Sequence, residues 1–206
     1  MDPALQLIIL MASLSLIPFI VVSMTSFLRY IIVLSILKTA LGTQQVPPSV
    51  VLVGMALVLT FYTMGPVFGE MYEKAMPLIQ QKQSIVSVMD KGSQPLKEFM
   101  MRQTRQSDIS FFLEMTRKEA PNSPQDISLW EVAPAYMISE LRTSFEIGFV
   151  IFIPFIVLDL VVANILLALG MFMLSPTIIS LPFKILVFVA VDGWGLIING
   201  LVQSFN

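Results

Sequence analysis

Two aspartates lie within strongly apolar sequence: Asp159 in Phe155-Ile156-Val157-Leu158-Asp159-Leu160-Val161, and Asp192 in Val191-Asp192-Gly193-Trp194. They have the most direct route to chemistry in this chain. Two carboxylates that share one proton can activate water against a peptide bond. An intramembrane aspartyl protease, however, carries a Gly-x-Gly-Asp signature. Here that signature is missing, and the glycine follows Asp192 instead of preceding it. The chain has no histidine and no cysteine. Ser-His and Cys-His nucleophiles are therefore excluded, as are rhomboid-type proteolysis and the usual zinc ligands. No glycine-rich phosphate loop of either common type is present, so no nucleotide hydrolysis is expected. The residue types point to no enzyme, no cofactor and no metal.

The remaining membrane-depth charges invite a different reading. Glu140 and Glu146 flank Arg142 in Ser139-Glu140-Leu141-Arg142-Thr143-Ser144-Phe145-Glu146, and Lys184 and Asp192 stand eight apart. Eight residues are close to two helical turns, which places Lys184 and Asp192 roughly on one face of a last helix. Ionised groups in apolar sequence face the protein interior, a partner or a water path. Two uses stand open for Glu140, Arg142, Glu146, Asp159, Lys184 and Asp192: structural pairing within the fold, since buried charges are paired, or pairing between subunits that holds copies in register. Gly170-Met171-Phe172-Met173-Leu174-Ser175-Pro176 lies where the chain must turn. Methionine is flexible and polarizable. Met171 and Met173 around Phe172, repeated in a ring, would form a soft gasket; alone, the same residues read as lipid-facing filler.

Composition dictates the elements that must position these groups. Apolar residues make up 56% of the 206 and charged residues 13%, about half the charged share of ordinary soluble domains. Lipid or partner subunits must cover such a surface. The net charge of −2 argues against a nucleic-acid surface. Most of the charge lies between Glu70 and Glu131. The chain thus divides into an N-terminal apolar helix pair (1–69), a mostly helical polar insert (70–131) and a second, mostly apolar C-terminal half of membrane helical hairpins (132–206). The expected class is an all-α membrane protein of about four long, partly broken apolar helices, with the insert between the second and third.

The first apolar run shows no basic n-region or cleavage site and is read as retained, kinked at Pro18. The second starts after Gln44-Gln45-Val46-Pro47-Pro48 and runs to about Phe68. The third, from Val132 to Gly170, would be roughly 58 Å long as one helix, nearly twice a bilayer core of about 30 Å. Pro154 is the expected breaking point. The last runs from Pro182 to about Phe205. Within the insert, Ser84–Met89, Pro95–Met101 and Asp108–Met115 have helical spacing. Pro121–Pro124 reads as a turn, and Asp126 or Ser128 as the cap of the next helix. Arg29 and Lys38 beside a short first loop place that loop in the cytoplasm and the insert on the periplasmic side.

At these residues the chain resembles the FliP family of flagellar export gate proteins and its injectisome counterpart, SctR. The resemblance is carried by Met24-Thr25-Ser26-Phe27, Ala40-Leu41-Gly42-Thr43, Gln94-Pro95-Leu96-Lys97-Glu98-Phe99-Met100 and Pro134-Ala135-Tyr136-Met137-Ile138-Ser139-Glu140-Leu141. Phe145–Phe149, Pro154–Leu160, Leu167–Met171, Pro182-Phe183-Lys184 and Val191–Trp194 complete it. It implies several copies assembled with FliQ-like and FliR-like membrane subunits, near FlhB-like and FlhA-like export proteins. The assembly is a ring-like gate at the flagellar basal body in the bacterial inner membrane, raised toward the periplasm. Unfolded flagellar proteins pass through it, driven by energy from elsewhere. The family's methionine constriction falls on Met171 and Met173, with Phe172 interrupting it, and Ser144 stands where a smaller residue is common. The flagellar branch is favoured over the injectisome branch. A secondary transporter is the more distant alternative, disfavoured by too few spans and no internal repeat.

Overall fold

The structure is a computed structural model that describes residues 11, 15, 18–43, 46–81, 83–115 and 127–205. Its elements are α1 (Phe27–Ala40), α2 (Ser49–Gln80), α3 (Ile85–Gly92), α4 (Gln94–Gln103), α5 (Gln106–Met115), α6 (Leu129–Ala168), α7 (Pro176–Ala190) and α8 (Gly193–Gln203). A short helical stretch, Pro18–Met24, precedes α1. No strand occurs among the described residues, so the all-α class holds. Two helices, α2 and α6, are long and apolar enough to cross a membrane. The count rises to four if Pro18–Met24 with α1, and α7 with α8, each form one bent span.

The helices of the insert start where local chemistry starts them. Ser84 caps α3, its side chain accepting from the Ser87 N–H at 3.3 Å. Pro95 sits in the first turn of α4, where its missing N–H costs nothing. At the start of α6, the Glu131 carboxylate accepts from the Ser128 N–H at 2.8 Å, the returning half of a capping box. The Pro121–Pro124 turn and Asp126 lie outside the described residues.

The chain divides into two compact units, and α2 and α6 contribute one end to each. The first contains residues 60–140 and the stretch before Arg29. Its core is built on Tyr136, which is fully buried, packs against Phe99 in a tilted arrangement with ring centroids 6.1 Å apart, and donates its hydroxyl to the Thr25 carbonyl at 2.8 Å. In the same unit the Ser139 hydroxyl donates to Asp108 at 2.5 Å and accepts from the Arg105 N–H at 3.0 Å. The second unit contains residues 29–59 and 141–206. Leu37, Ala40, Leu41, Phe155 and Phe188 form its core, with Trp194 edge-on to Phe188 at 5.4 Å. Gly148 marks the crossing of α1 and α6, since a Cβ there would lie 2.4 Å from Ile36 Cδ1. Apolar Ile31, Ile32, Phe145 and Phe152 help line a groove of about 300 Å³ along the same pair.

Three expectations need correction. Pro154 does not break the third region: α6 continues from Leu129 to Ala168, about 60 Å at 1.5 Å per residue. An interior proline costs about 3 kcal/mol. Ending a helix in apolar surroundings orphans up to eight backbone groups at several kcal/mol each, so continuing is cheaper. The first run bends by 77° between Met24 and Phe27; the residues that a kink at Pro18 would involve lie outside the described ones. At the observed bend Thr25 competes with the helix ladder: its hydroxyl donates to the Val21 carbonyl and accepts from the Phe27 N–H. The last region starts at Pro176 and bends by 65° between α7 and α8. Asp192 sits at the bend with φ 51, and a Cβ on Gly193 would meet the Phe188 ring at 2.3 Å. Finally, Arg29 does not flank the first loop. It is buried in α1, its Nη1 donating to the Ser204 carbonyl at 2.8 Å and hydroxyl at 2.9 Å, with the guanidinium over the Phe205 ring.

The α1–α6 crossing gives a direct test. Gly148→Val should lower stability by about 1–3 kcal/mol, the usual cost of overpacking, and Ile36→Ala in the same chain should recover part of it. Thermal unfolding in detergent reads both; an unchanged Gly148→Val midpoint would remove the crossing as a close contact.

Candidate functional site: a buried charge cluster below an exposed methionine loop

α7 and much of α6 turn large apolar side chains outward. On α7 the buried residues are Ser180, Lys184 and Phe188, spaced four apart and so stacked on one face. Its exposed residues include Ile178, Phe183, Ile185, Leu186 and Val189. α6 likewise exposes Phe145, Phe149, Ile156, Leu160 and Ile165 while burying Ser144. In water this arrangement would be unfavourable. It suits helices whose outer faces are covered by lipid or by neighbouring subunits.

The buried face of α7 is built around Lys184, 3% exposed. Its Nζ lies 2.7 Å from Asp159 Oδ2 on α6 and donates to the Ala40 carbonyl at 3.3 Å. Ala40 is the last residue of α1, so Lys184 also satisfies a carbonyl that the helix end leaves without an intrahelical donor. The Ser180 hydroxyl donates to Asp159 Oδ1. Gly42, with φ +77, turns the chain away within 4 Å of this ammonium: a Cβ there would lie 3.9 Å from Nζ. Three helices thus meet at one charge. The side chain of Asp159 remains 31% exposed, so the pair is only partly shielded from its surroundings.

The structure groups some of the sequence-derived residues and separates others. Asp159 and Lys184 are brought together. Asp192 does not share a face with Lys184, because the helix ends between them and Asp192 lies exposed at the start of α8. Both oxygens of Asp159 are engaged by Ser180 and Lys184, so it is not half of a proton-sharing pair with Asp192. Glu140 is fully buried in the first unit, whereas Arg142 and Glu146 are exposed on the second. Met171, Phe172 and Met173 lie in the turn between α6 and α7, all exposed. Sequence reasoning missed Ser180 and the Ala40 carbonyl. The four-residue spacing of Ser180 and Lys184 was a usable signal for the first; nothing local announces the second. The Asp108–Ser139 contact and the Arg29 clasp on Ser204 were also unforeseen.

Removing one partner of a buried pair strands the other charge, at a cost of about 3–5 kcal/mol. The exposed edge of Asp159 places Lys184→Met toward the lower end. Lys184→Glu, which sets two carboxylates together, should be worse, and the exchange Asp159→Lys with Lys184→Asp should restore part of the loss. Unfolding midpoints of the purified chain and the yield of its complexes on native gels are the measurements. Normal complexes from Lys184→Glu would deny the pair a structural role.

The sequence pattern of the FliP family fits residues 10–201. A flagellar biosynthetic protein FliP of Bacillus subtilis strain 168 is 49% identical over 201 residues, covering 97% of this chain and 91% of that protein. Another, from Caulobacter vibrioides, is 46% identical over 206 residues, covering 100% of this chain and 77% of its own length. The flagellar biosynthetic protein FliP of Pectobacterium carotovorum is 45% identical over 203 residues, with 98% and 79% covered. With the family pattern fitting nearly end to end and relatives this similar along almost the whole chain, the protein belongs to the FliP family.

Proposed function

We propose that this chain is a subunit of the flagellar type III export gate, forming with further copies of itself and with FliQ-like and FliR-like subunits the channel for unfolded flagellar proteins. The observation that carries the reading is that α6 and α7 turn large apolar side chains outward while α7 buries Lys184 against Asp159, in a chain of the FliP family. Such helices require neighbours, and sister helices provide them. At about 60 Å, α6 is twice the thickness of a bilayer core, which supports a gate raised toward the periplasm rather than lying flat in lipid. The flagellar branch is supported by the name, flagellar biosynthetic protein FliP, shared by the relatives from Bacillus, Caulobacter and Pectobacterium.

In this reading the complex sits in the inner membrane at the basal body, next to FlhA-like and FlhB-like export proteins, with the polar insert of residues 70–131 on the periplasmic side. Residues 132–206 supply the pore. The chain does no chemistry of its own; the energy for transport comes from other components. Met171, Phe172 and Met173, exposed at the tip between α6 and α7, face the passage and close it as a deformable apolar gasket. Thioethers can repack around an irregular substrate and re-form the seal after it has passed. Lys184, Asp159 and the neighbouring charges hold the hairpin and its contacts with other subunits.

Met171→Ala with Met173→Ala should leave assembly intact and open a leak for small ions, read as conductance of the assembled complex in a planar bilayer. Unchanged impermeability would remove these residues as the seal. Deleting the chain should abolish secretion of filament protein; normal secretion would end the export reading altogether.

A further inference from the structure

The chain contains fourteen methionines and no cysteine, so every sulfur it offers an oxidant is a thioether. These sulfurs differ sharply in access. Met64 and Met100 are 0% exposed and Met24 is 2% exposed, whereas Met173 is 99% exposed, the highest value among the large apolar side chains described. Met171, two residues away, is 46% exposed, less than Met11, Met89 and Met115 at 63%, 65% and 66%, which lie outside this turn. Met171 and Met173 lie outside regular helix, between Gly170 and Ser175, so no helical neighbour shields them. Ease of methionine oxidation follows exposure, and the product exchanges a flexible apolar side chain for a polar one.

We infer that Met173, with Met171 as a slower second site, is a methionine-sulfoxide modification site that sets how tightly the gate closes. The inference rests on the proposed gasket and names its regulation. Hydrogen peroxide is the oxidant class. One peroxide oxygen passes to the thioether sulfur, the O–O bond breaks, and the second oxygen leaves as water; sulfur loses two electrons and peroxide gains them. The reverse step takes a dithiol reductant, which becomes a disulfide as the oxygen departs as water. A sulfoxide at the tip places a strong hydrogen-bond acceptor where closure needs a dry apolar contact. Water then stays with it, and the seal hydrates. Repeated around a ring of copies, the change is multiplied at one level of the passage, while the buried methionines and the fold they support are left alone.

The test uses the assembled gate in proteoliposomes, treated with hydrogen peroxide and followed by peptide mass spectrometry and ion conductance. Met173 should gain one oxygen roughly tenfold faster than Met64 and Met100, in line with access. Conductance should rise with Met173 oxidation and fall again after a methionine sulfoxide reductase with dithiol. Met173→Leu, inert to peroxide, should show no rise in conductance above its own untreated level under the same treatment, and Met173→Gln should leak without oxidant. Full oxidation of Met173 with an unchanged seal, or an equal peroxide leak from Met173→Leu, overturns the inference even where the alanine pair leaks and the gasket itself stands. Resistance of Met173 to peroxide in the assembled gate overturns it as well. A tight gate in the alanine pair and after peroxide alike removes the gasket and this regulation together.

Discussion

A single ammonium decides how the second unit is arranged. Lys184 is nearly inaccessible on a helix whose other faces are apolar, and an isolated charge there would be strongly unfavourable. Its position is tolerable only with Asp159 at 2.7 Å and the free carbonyl at the end of α1 within reach. Each requirement fixes an element. Asp159 ties the rotation of α6 to that of α7, and the Ala40 carbonyl ties the end of α1 to both. Replacing the pair with apolar residues of similar volume could leave stability unchanged. What the pair contributes beyond energy is selectivity: apolar helices slide and rotate against one another at little cost, and a buried charge with one good partner removes that freedom.

The same logic of unsatisfied groups governs where helices end. α6 carries Pro134 and Pro154 without stopping, because one lost hydrogen bond costs less than two new helix ends in apolar surroundings. Breaks occur where side chains take over the backbone's hydrogen bonds or where packing rewards the bend. At Thr25 the hydroxyl serves both a carbonyl and an N–H. At Asp192 the bend is held by Phe188, whose ring occupies the space that any side chain on Gly193 would need and packs edge-on against Trp194. Breaks so specified are features of the fold, not weak points in it.

This explains what the sequence could and could not reveal. Helical class and the three insert helices depend on periodicity and on chemistry within a few residues, and they were legible. The break at Asp192 was not, because glycine in an apolar run carries no mark of the ring that will pack on it. Proline misled for the opposite reason: it announces a local cost but not the larger cost of the alternative. The partner of Lys184 was also hidden. Asp192, eight residues away, would be about 12 Å off along a continuous helix; Asp159, 25 residues away, becomes its partner only when α6 and α7 fold back on each other. The exposure of Met173 follows from the same hairpin, which lifts the tip clear of both arms.

The hairpin also links the charge pair to the tip it supports. From Asp159 to Ala168 at the end of α6 is about 14 Å, and from Pro176 to Lys184 on α7 about 12 Å, at 1.5 Å per residue. The arms are therefore matched to within about half a helical turn when the pair forms. A slip of α7 against α6 by one turn would shift the register by about 5.4 Å, enough to separate Nζ from both Asp159 and Ala40. It would also skew the loop of Met171, Phe172 and Met173. In a ring of copies, a gasket closes only if every tip lies at the same level, and flexible methionines can absorb small errors in height but not a full turn. In the proposed gate, the buried pair would act on the passage without lying in it: by fixing the register of two apolar helices, it would set the height at which the proposed seal is made.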